Sequence, residues 1–264
     1  MTISVKAFFL GRRNYRLIYN LQLNLVKKLN EIKNNKLHTI IFLEHEPVFT
    51  FGLRQNIEET EINRLKALNS DVIKTNRGGL TTYHGPGQLV SYPLINLKDD
   101  NLVSFGLKWY IAALEMTGYK FLKKEFDLTS MIGSHIGNNM SETGLWLDED
   151  HKVMSIGVHK SGNIVYHGLA LNVSENPLRY FDEIIICGLN DKKATSVISK
   201  QPKTNIPNLS IIVKSFYHDM LSNIFKDLSK VDLNVHDLVF KRDEDLEKIL
   251  SDDIERRNQL MTST

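Results

Sequence analysis

A chain of 264 residues allows one large domain or two small ones, and a hydrophobic share of 42% suits a globular protein with a sizeable core. A net charge of +2 gives no general argument for a nucleic-acid partner. The apolar runs are short and interrupted by charge, so no membrane span is read from them. A single cysteine, Cys187, cannot form an internal disulfide, so the fold needs no oxidising compartment.

The first 30 residues carry Lys6, Arg12, Arg13, Arg16, Lys27 and Lys28 and no acid, the composition of a transit peptide. The same stretch has folded patterning. Residues 3–10 read as a strand ending at Gly11, and Ile18, Leu21, Leu25, Leu29 and Ile32 fall on one face of a helix over about 15–33. The N-terminus is therefore expected to belong to the domain, with any cleavable segment very short or missing. "HTIIFLEH" at 38–45 is a buried strand and "PVFTFGL" at 47–53 a short extended piece. Residues 58–69 read as a helix and 71–75 as a strand. The stretch 77–97, RGGLTTYHGPGQLVSYPLINL, starts as a glycine-rich loop and continues as a strand broken at Pro93.

A helix is expected over 104–118, with Phe105, Trp109, Ala112, Ala113 and Met116 on one face. The segments TGLWL, KVMSIGV and IVYHGLALNV form an antiparallel meander from 143 to 173, turning at HKSGN. EIIICGL reads as a short buried strand ending at a Cys-Gly corner, and Thr195 as the cap of a helix starting near Ser196. A helix over 209–227 carries Ile212, Phe216, Met220 and Ile224 on one face. The charged tail is expected to hold a small helix around 241–258 and disorder at 262–264. Strands and helices do not alternate strictly, which favours α+β with a mixed or mainly antiparallel sheet flanked by helices.

Gly78 and Gly79 would let backbone approach a ligand closely. Neither G-x-x-x-x-G-K-[ST] nor G-x-G-x-x-G occurs, so a phosphate loop is unsupported, and HGPG alone reads equally as a rigid turn. Arg77 could pair with a buried carboxylate, and His84 could hold the loop by a hydrogen bond. His45, His84, His135, His151, His159 and His167 are scattered without HExxH spacing, which argues against a metal site, and the absence of G-x-S-x-G argues against a serine hydrolase. A lone thiol is either a small buried hydrophobe or a nucleophile. The second role needs a nearby cation or helix N-terminus to hold a thiolate. Read from residues alone, the chain is a possible thiol enzyme and no more.

Three blocks in order, RGGLTTYHGPGQLVSYPLINL, TGLWLDEDHKVMSIGVH followed by VYHGLALNV, and CGL followed by TSV, resemble the signature of the lipoyl(octanoyl) transferases over roughly residues 5–226. The resemblance implies a biotin/lipoate protein ligase-like catalytic domain over 1–227, with 228–264 a charged extension, partly helical or disordered. It implies transfer of an octanoyl group from octanoyl-acyl carrier protein to a lysine of lipoyl domains, those of 2-oxoacid dehydrogenase complexes and the glycine cleavage H protein. By the same resemblance Cys187 is the nucleophile that forms an acyl thioester and Lys152 the residue that activates it. Arg77, Gly78, Gly79, Leu80, Thr81, Thr82, Tyr83 and His84 match the first substrate-lining block. Ser155, Ile156 and Gly157 match the second, and Gly168, Leu169 and Ala170 the third.

The chemistry agrees with these roles. A lysine beside the thiol can stabilise a thiolate and, unlike arginine, give up its own proton. Each buried methylene of an eight-carbon chain contributes roughly 0.8 kcal/mol. Thioester-to-amide transfer is downhill, so no nucleotide or other cofactor is implied. The family implies a monomer with no nucleic-acid or membrane partner, mitochondrial, or cytoplasmic if the source is bacterial. The sequence departs from the family at Ile186, where many members have Pro, and at HKSGN, where many have a basic pair. Two alternatives remain at this level: an ATP-dependent lipoate or biotin-type ligase on the same fold, which would not need Cys187, and a non-catalytic relative, against which Lys152 and Cys187 both argue.

Overall fold

The computed structural model describes residues 3–136, 142–185, 191–202, 208–229, 231–239 and 241–262. The chain opens with β1 (Ser4–Arg13), α1 (Tyr15–Glu31), β2 (Leu37–His45), β3 (Val48–Phe51), α2 (Glu59–Lys66), β4 (Asp71–Lys74), β5 (Thr82–His84) and β6 (Gln88–Asn96). It continues through α3 (Leu107–Phe126), β7 (Met131–Ile132), α4 (Gly133–Ile136), β8 (Gly144–Trp146), β9 (His151–Ser161) and β10 (Ile164–Asn172). It closes with α5 (Leu178–Phe181), β11 (Lys193–Ala194), α6 (Val197–Lys200), α7 (Leu209–Ile224), β12 (Val235–Asp237) and α8 (Asp243–Thr262).

The main sheet has the order β12-β1-β2-β6-β10-β9-β8-β7, with β11 added alongside β9. It is mixed: β1 pairs in parallel with β2 and β12, and β2, β6, β10, β9 and β8 follow one another antiparallel. A separate small sheet runs β4-β3-β5. The expected α+β architecture with a mixed sheet and flanking helices is what forms.

The central strands are buried on both faces, so they read as unbroken apolar runs. Their alternation still sorts them. Ile40 and Phe42 of β2, with Val165, Leu169 and Leu171 of β10, join the core under α3 and α7. Ile41, Leu43, Ile164, Tyr166 and Ala170 point the other way, under α1 and α8. A third cluster, with Phe49, Tyr83 and Phe181, binds the small sheet to α5.

Several expectations need correction. β1 runs through Gly11 to Arg13, with a register shift between Phe9 and Arg12. α3 starts at Leu107 and ends at Phe126, so its buried face is Tyr110, Ile111, Leu114, Phe121 and Leu122, and Phe105 is 60% exposed. The helix runs on through Gly118, where a Cβ would lie 2.7 Å from Leu145 and Met154: the glycine lets the helix press on the sheet. Pro93 does not break β6. Cα pairing to β10 lapses between Ile95↔Val165 and Ser91↔Leu169, opposite the proline that has no N–H to give. Residues 183–185 lie outside any strand and Ile185 is 57% exposed: the Glu183 and Ile184 N–H groups donate to the Tyr180 and Phe181 carbonyls at the end of α5 and not to a ladder. The remainder of that segment, with Cys187, lies outside the described residues. Ser196, not Thr195, caps α6. The helix expected over 209–227 ends at Ile224, and the small C-terminal helix is a 20-residue one.

Candidate active site

A cavity of about 730 Å³ opens between the small sheet, the β9–β10 hairpin and the start of α3. One wall is the loop and strand carrying Arg77, Gly78, Gly79, Leu80, Thr81, Thr82 and His84. The loop is held against β9 by the Gly78 N–H, which donates to the Val158 carbonyl at 3.0 Å. Approach is this close because position 157 has no side chain: a Cβ there would be 2.9 Å from the Gly78 oxygen. Ser155, Ile156 and Gly157 supply a second wall of the cavity, and Gly168, Leu169 and Ala170 a third. Tyr83 does not line it. Thr82 and His84 face the cavity, so the residue between them must face away. Tyr83 is fully buried against Phe49 and stacks on Tyr180 at 4.3 Å between ring centroids.

Lys152 lines the cavity and is only 3% exposed. β9 pairs it with Trp146 of β8, and its Nζ sits 4.8 Å from the centre of the Trp146 ring. Its stem crosses Gly144, where φ is +125° and a Cβ would be 2.9 Å from Lys152 Cε. β11 lies on the other side, pairing Ala194 with Lys152, and the Thr195 N–H donates to the Lys152 carbonyl at 2.9 Å.

The remaining wall is polar and buried. Arg77 Nη2 donates to the Thr50 carbonyl at 2.6 Å and to its hydroxyl at 2.8 Å, and Nε reaches the same hydroxyl at 3.1 Å, so this guanidinium ties the loop to β3. Around it stand Tyr15, Tyr92, His84 and His167, with His45 behind them. Burial holds the three histidines neutral. His45 is pushed down to about 4 and His167 to about 3, the latter helped by Arg77. His84 is well below its ordinary value, through burial first, then its coupling to His45 and the charge of Arg77. Burial also raises the Tyr15 and Tyr92 hydroxyls, Tyr15 to about 12, so both stay protonated.

Sequence reasoning missed Tyr15, Leu53, Arg54, Tyr92, Leu107, Ile111, Thr143, Val158, His159, His167 and Phe181, which all line the cavity. His167 sits inside the quoted VYHGLALNV block and has a φ of +57°, a conformation that no sequence pattern signals. Tyr15 and Ile111 come from helices remote in sequence. Among the described residues no group of three or more His, Cys, Asp or Glu could hold a metal ion, and no helix is long and apolar enough to cross a membrane.

Solved structures share this fold. A lipoate-protein ligase A bound with ATP superposes with a TM-score of 0.69 at 14% identity, covering 96% of this chain and 95% of that one. The bipartite lipoate protein ligase of Thermoplasma acidophilum gives 0.64 at 11% identity, over 94% and 92%. At such identities the likeness defines the fold class, that of the lipoate ligases.

Sequence carries the assignment further: residues 14–227 match the lipoyl protein ligase A/B catalytic domain, and the chain belongs to that family. It is similar to the mitochondrial octanoyl-(acyl-carrier-protein):protein N-octanoyltransferase of Danio rerio, 38% identical over 205 residues, 77% of this chain and 85% of the relative. The mitochondrial octanoyltransferase of Arabidopsis thaliana is 32% identical over 251 residues, 92% and 94% of the two chains. The octanoyltransferase of the bacterium Christiangramia forsetii is 36% identical over 212 residues, 75% and 86%. With these relatives the chain is an acyltransferase.

Proposed function

We propose that this chain moves an octanoyl group from octanoyl-acyl carrier protein to a lysine of lipoyl domains, through a thioester on Cys187 that Lys152 helps to form. The observation that carries the reading is the burial of the Lys152 amine in the cavity wall, over Trp146, with β11 held along its backbone. Cys187 lies outside the described residues, six positions before Lys193 of β11 and six after the cavity-lining Phe181 in the sequence.

In the first half-reaction Lys152 takes the thiol proton and the Cys187 sulfur bonds to the donor's carbonyl carbon. The carrier's thiol leaves with that proton. In the second, the neutral amine of the acceptor lysine bonds through nitrogen to the same carbon, the Cys187 sulfur leaves, and the proton lost by the nitrogen ends on that sulfur. Two easier displacements replace one direct transfer. The octanoyl tail lies among Leu80, Ile156, Leu169 and Ala170, with Gly78, Gly79, Gly157 and Gly168 leaving it room. The acceptors are the lipoyl domains of 2-oxoacid dehydrogenase complexes and the glycine cleavage H protein. The compartment is the mitochondrion, as the names of the Danio rerio and Arabidopsis thaliana relatives suggest, or the cytoplasm in a bacterium.

Intact mass after incubation with octanoyl-acyl carrier protein tests this. Wild type should gain one octanoyl group, labile to hydroxylamine, and Cys187→Ser should gain none. An adduct that persists in the variant, or ATP–pyrophosphate exchange supported by the wild type, would favour ligase chemistry instead.

A further inference from the structure

We infer that His84 is a second catalytic residue, locked by Gln88 and Asn172 in the tautomer that accepts a proton from the attacking lysine amine. This rests on the octanoyl-transfer reading above and assigns a base to its second half-reaction.

The locking follows from donor and acceptor directions along one buried chain. The Thr195 carbonyl can only accept, and Asn172 Nδ2 lies 2.9 Å from it. Asn172 therefore turns Oδ1 toward Gln88, whose Nε2 donates to it at 2.8 Å. The same Nε2 donates to the Tyr83 carbonyl at 3.1 Å. Both amide hydrogens of Gln88 are then committed, and its Oε1 faces His84 Nδ1 at 3.2 Å. An amide oxygen cannot donate, so the proton sits on Nδ1 and the lone pair of the neutral ring on Nε2. Nε2 has no hydrogen-bond partner among the described residues, and the ring lines the cavity. Stacking on Tyr15, at 5.9 Å and 10°, fixes the plane. At its far end the chain is anchored to the catalytic strand, because Thr195 donates to the Lys152 carbonyl.

Burial first, then His45 from β2, Arg77 from the glycine loop and His167 from β10, disfavour a lasting second proton on His84, so the ring rests neutral and passes on quickly any proton it takes up; Tyr15 and Tyr92 stay neutral. Arg77, the charged member of this group, also favours an incoming amine in its uncharged, nucleophilic form. The step balances. The amine nitrogen bonds to the acyl carbon, its proton passes to His84 Nε2, and the carbon–sulfur bond breaks. His84 then returns the proton to the Cys187 thiolate.

The test separates the half-reactions in the full-length protein. Wild type and His84→Ala are each mixed with octanoyl-acyl carrier protein, and adduct formation is timed by intact mass. The isolated adducts are then chased with a lipoyl domain. His84→Ala should slow transfer about 100-fold and acylation much less, and millimolar imidazole should restore much of the loss in transfer. Gln88→Ala should slow transfer about tenfold and acylation less, because Nδ1 loses the acceptor that fixes its proton. Nitrogen NMR of the wild-type ring should show the Nδ1–H tautomer at about pH 7. Transfer at the wild-type rate in His84→Ala, equal slowing of both steps without imidazole rescue, or an Nε2–H tautomer would overturn the proposal. Failure of the wild type to form any adduct would instead overturn the thioester reading, and the tautomer measurement tells the two failures apart.

Discussion

Lys152 can stand in the cavity wall because residue 144 has no side chain. In Gly144→Ala the new Cβ would lie 2.2 Å from the Met154 carbonyl, at a φ of +125° that L residues rarely adopt. We expect that variant to lose at least about 2 kcal/mol of stability and most of its transfer activity, read by urea unfolding and a lipoyl-domain assay. Wild-type values in both would show that the Lys152 stem does not depend on that gap. Lys152→Ala should stay folded and lose about 100-fold in acylation rate; unchanged acylation would remove Lys152 from the mechanism. At this scale much was legible. Motif blocks located the loop at 77–84 and both walls of the β9–β10 hairpin, because glycines and small residues are what a closely approached ligand requires. Tyr83 was misplaced because a block match takes no account of strand parity. Tyr15 and Ile111 were illegible because nothing in a helical stripe says which member meets a cavity.

The strands bring three neutral histidines into one layer: His45 at the end of β2, His84 at the end of β5 and His167 within β10. Each has a folded pKa below its unfolded value near 6.5, so the unfolded chain binds more protons as pH falls. Their contribution is therefore complete above about pH 6.5 and is lost on acidification, for His45 and His167 by about 1.4 kcal/mol per pH unit each down to about pH 4. Urea denaturation between those limits should show this fall, and His45→Gln should make it shallower. A flat profile would mean that these rings are hydrated and titrate normally. Central strands and α1 were legible because period-two and period-3.6 patterns survive burial. Pro93 misled because it is a breaker in isolation and is accommodated here by a lapse in pairing to β10.

Across the whole molecule the two ends of the chain are built together. β12 extends the sheet beyond β1, and α8 lays Leu246, Leu250 and Ile254 on the core that α1 also covers. Arg257 is almost fully buried, donating to the His38 carbonyl and the Thr39 hydroxyl at 2.9 Å each. Its Nε is 2.7 Å from Asp253 Oδ2, close but not aligned as a hydrogen bond, and Lys6 of β1 holds the other oxygen at 2.8 Å. Asp253→Asn leaves that guanidinium without its countercharge and should cost about 3 kcal/mol of unfolding free energy; a loss well under 1 kcal/mol would show the latch to be solvated. The tail's helix was visible in sequence but its attachment was not, since three apolar residues among many charges do not reveal their partner. The central claim is that octanoate crosses the protein covalently. Its most direct test is to isolate the octanoylated enzyme free of donor, add a lipoyl domain, and count amide formed against adduct lost. One amide per adduct is the expected result. An adduct that persists while lipoyl domains are modified from fresh donor would contradict the account.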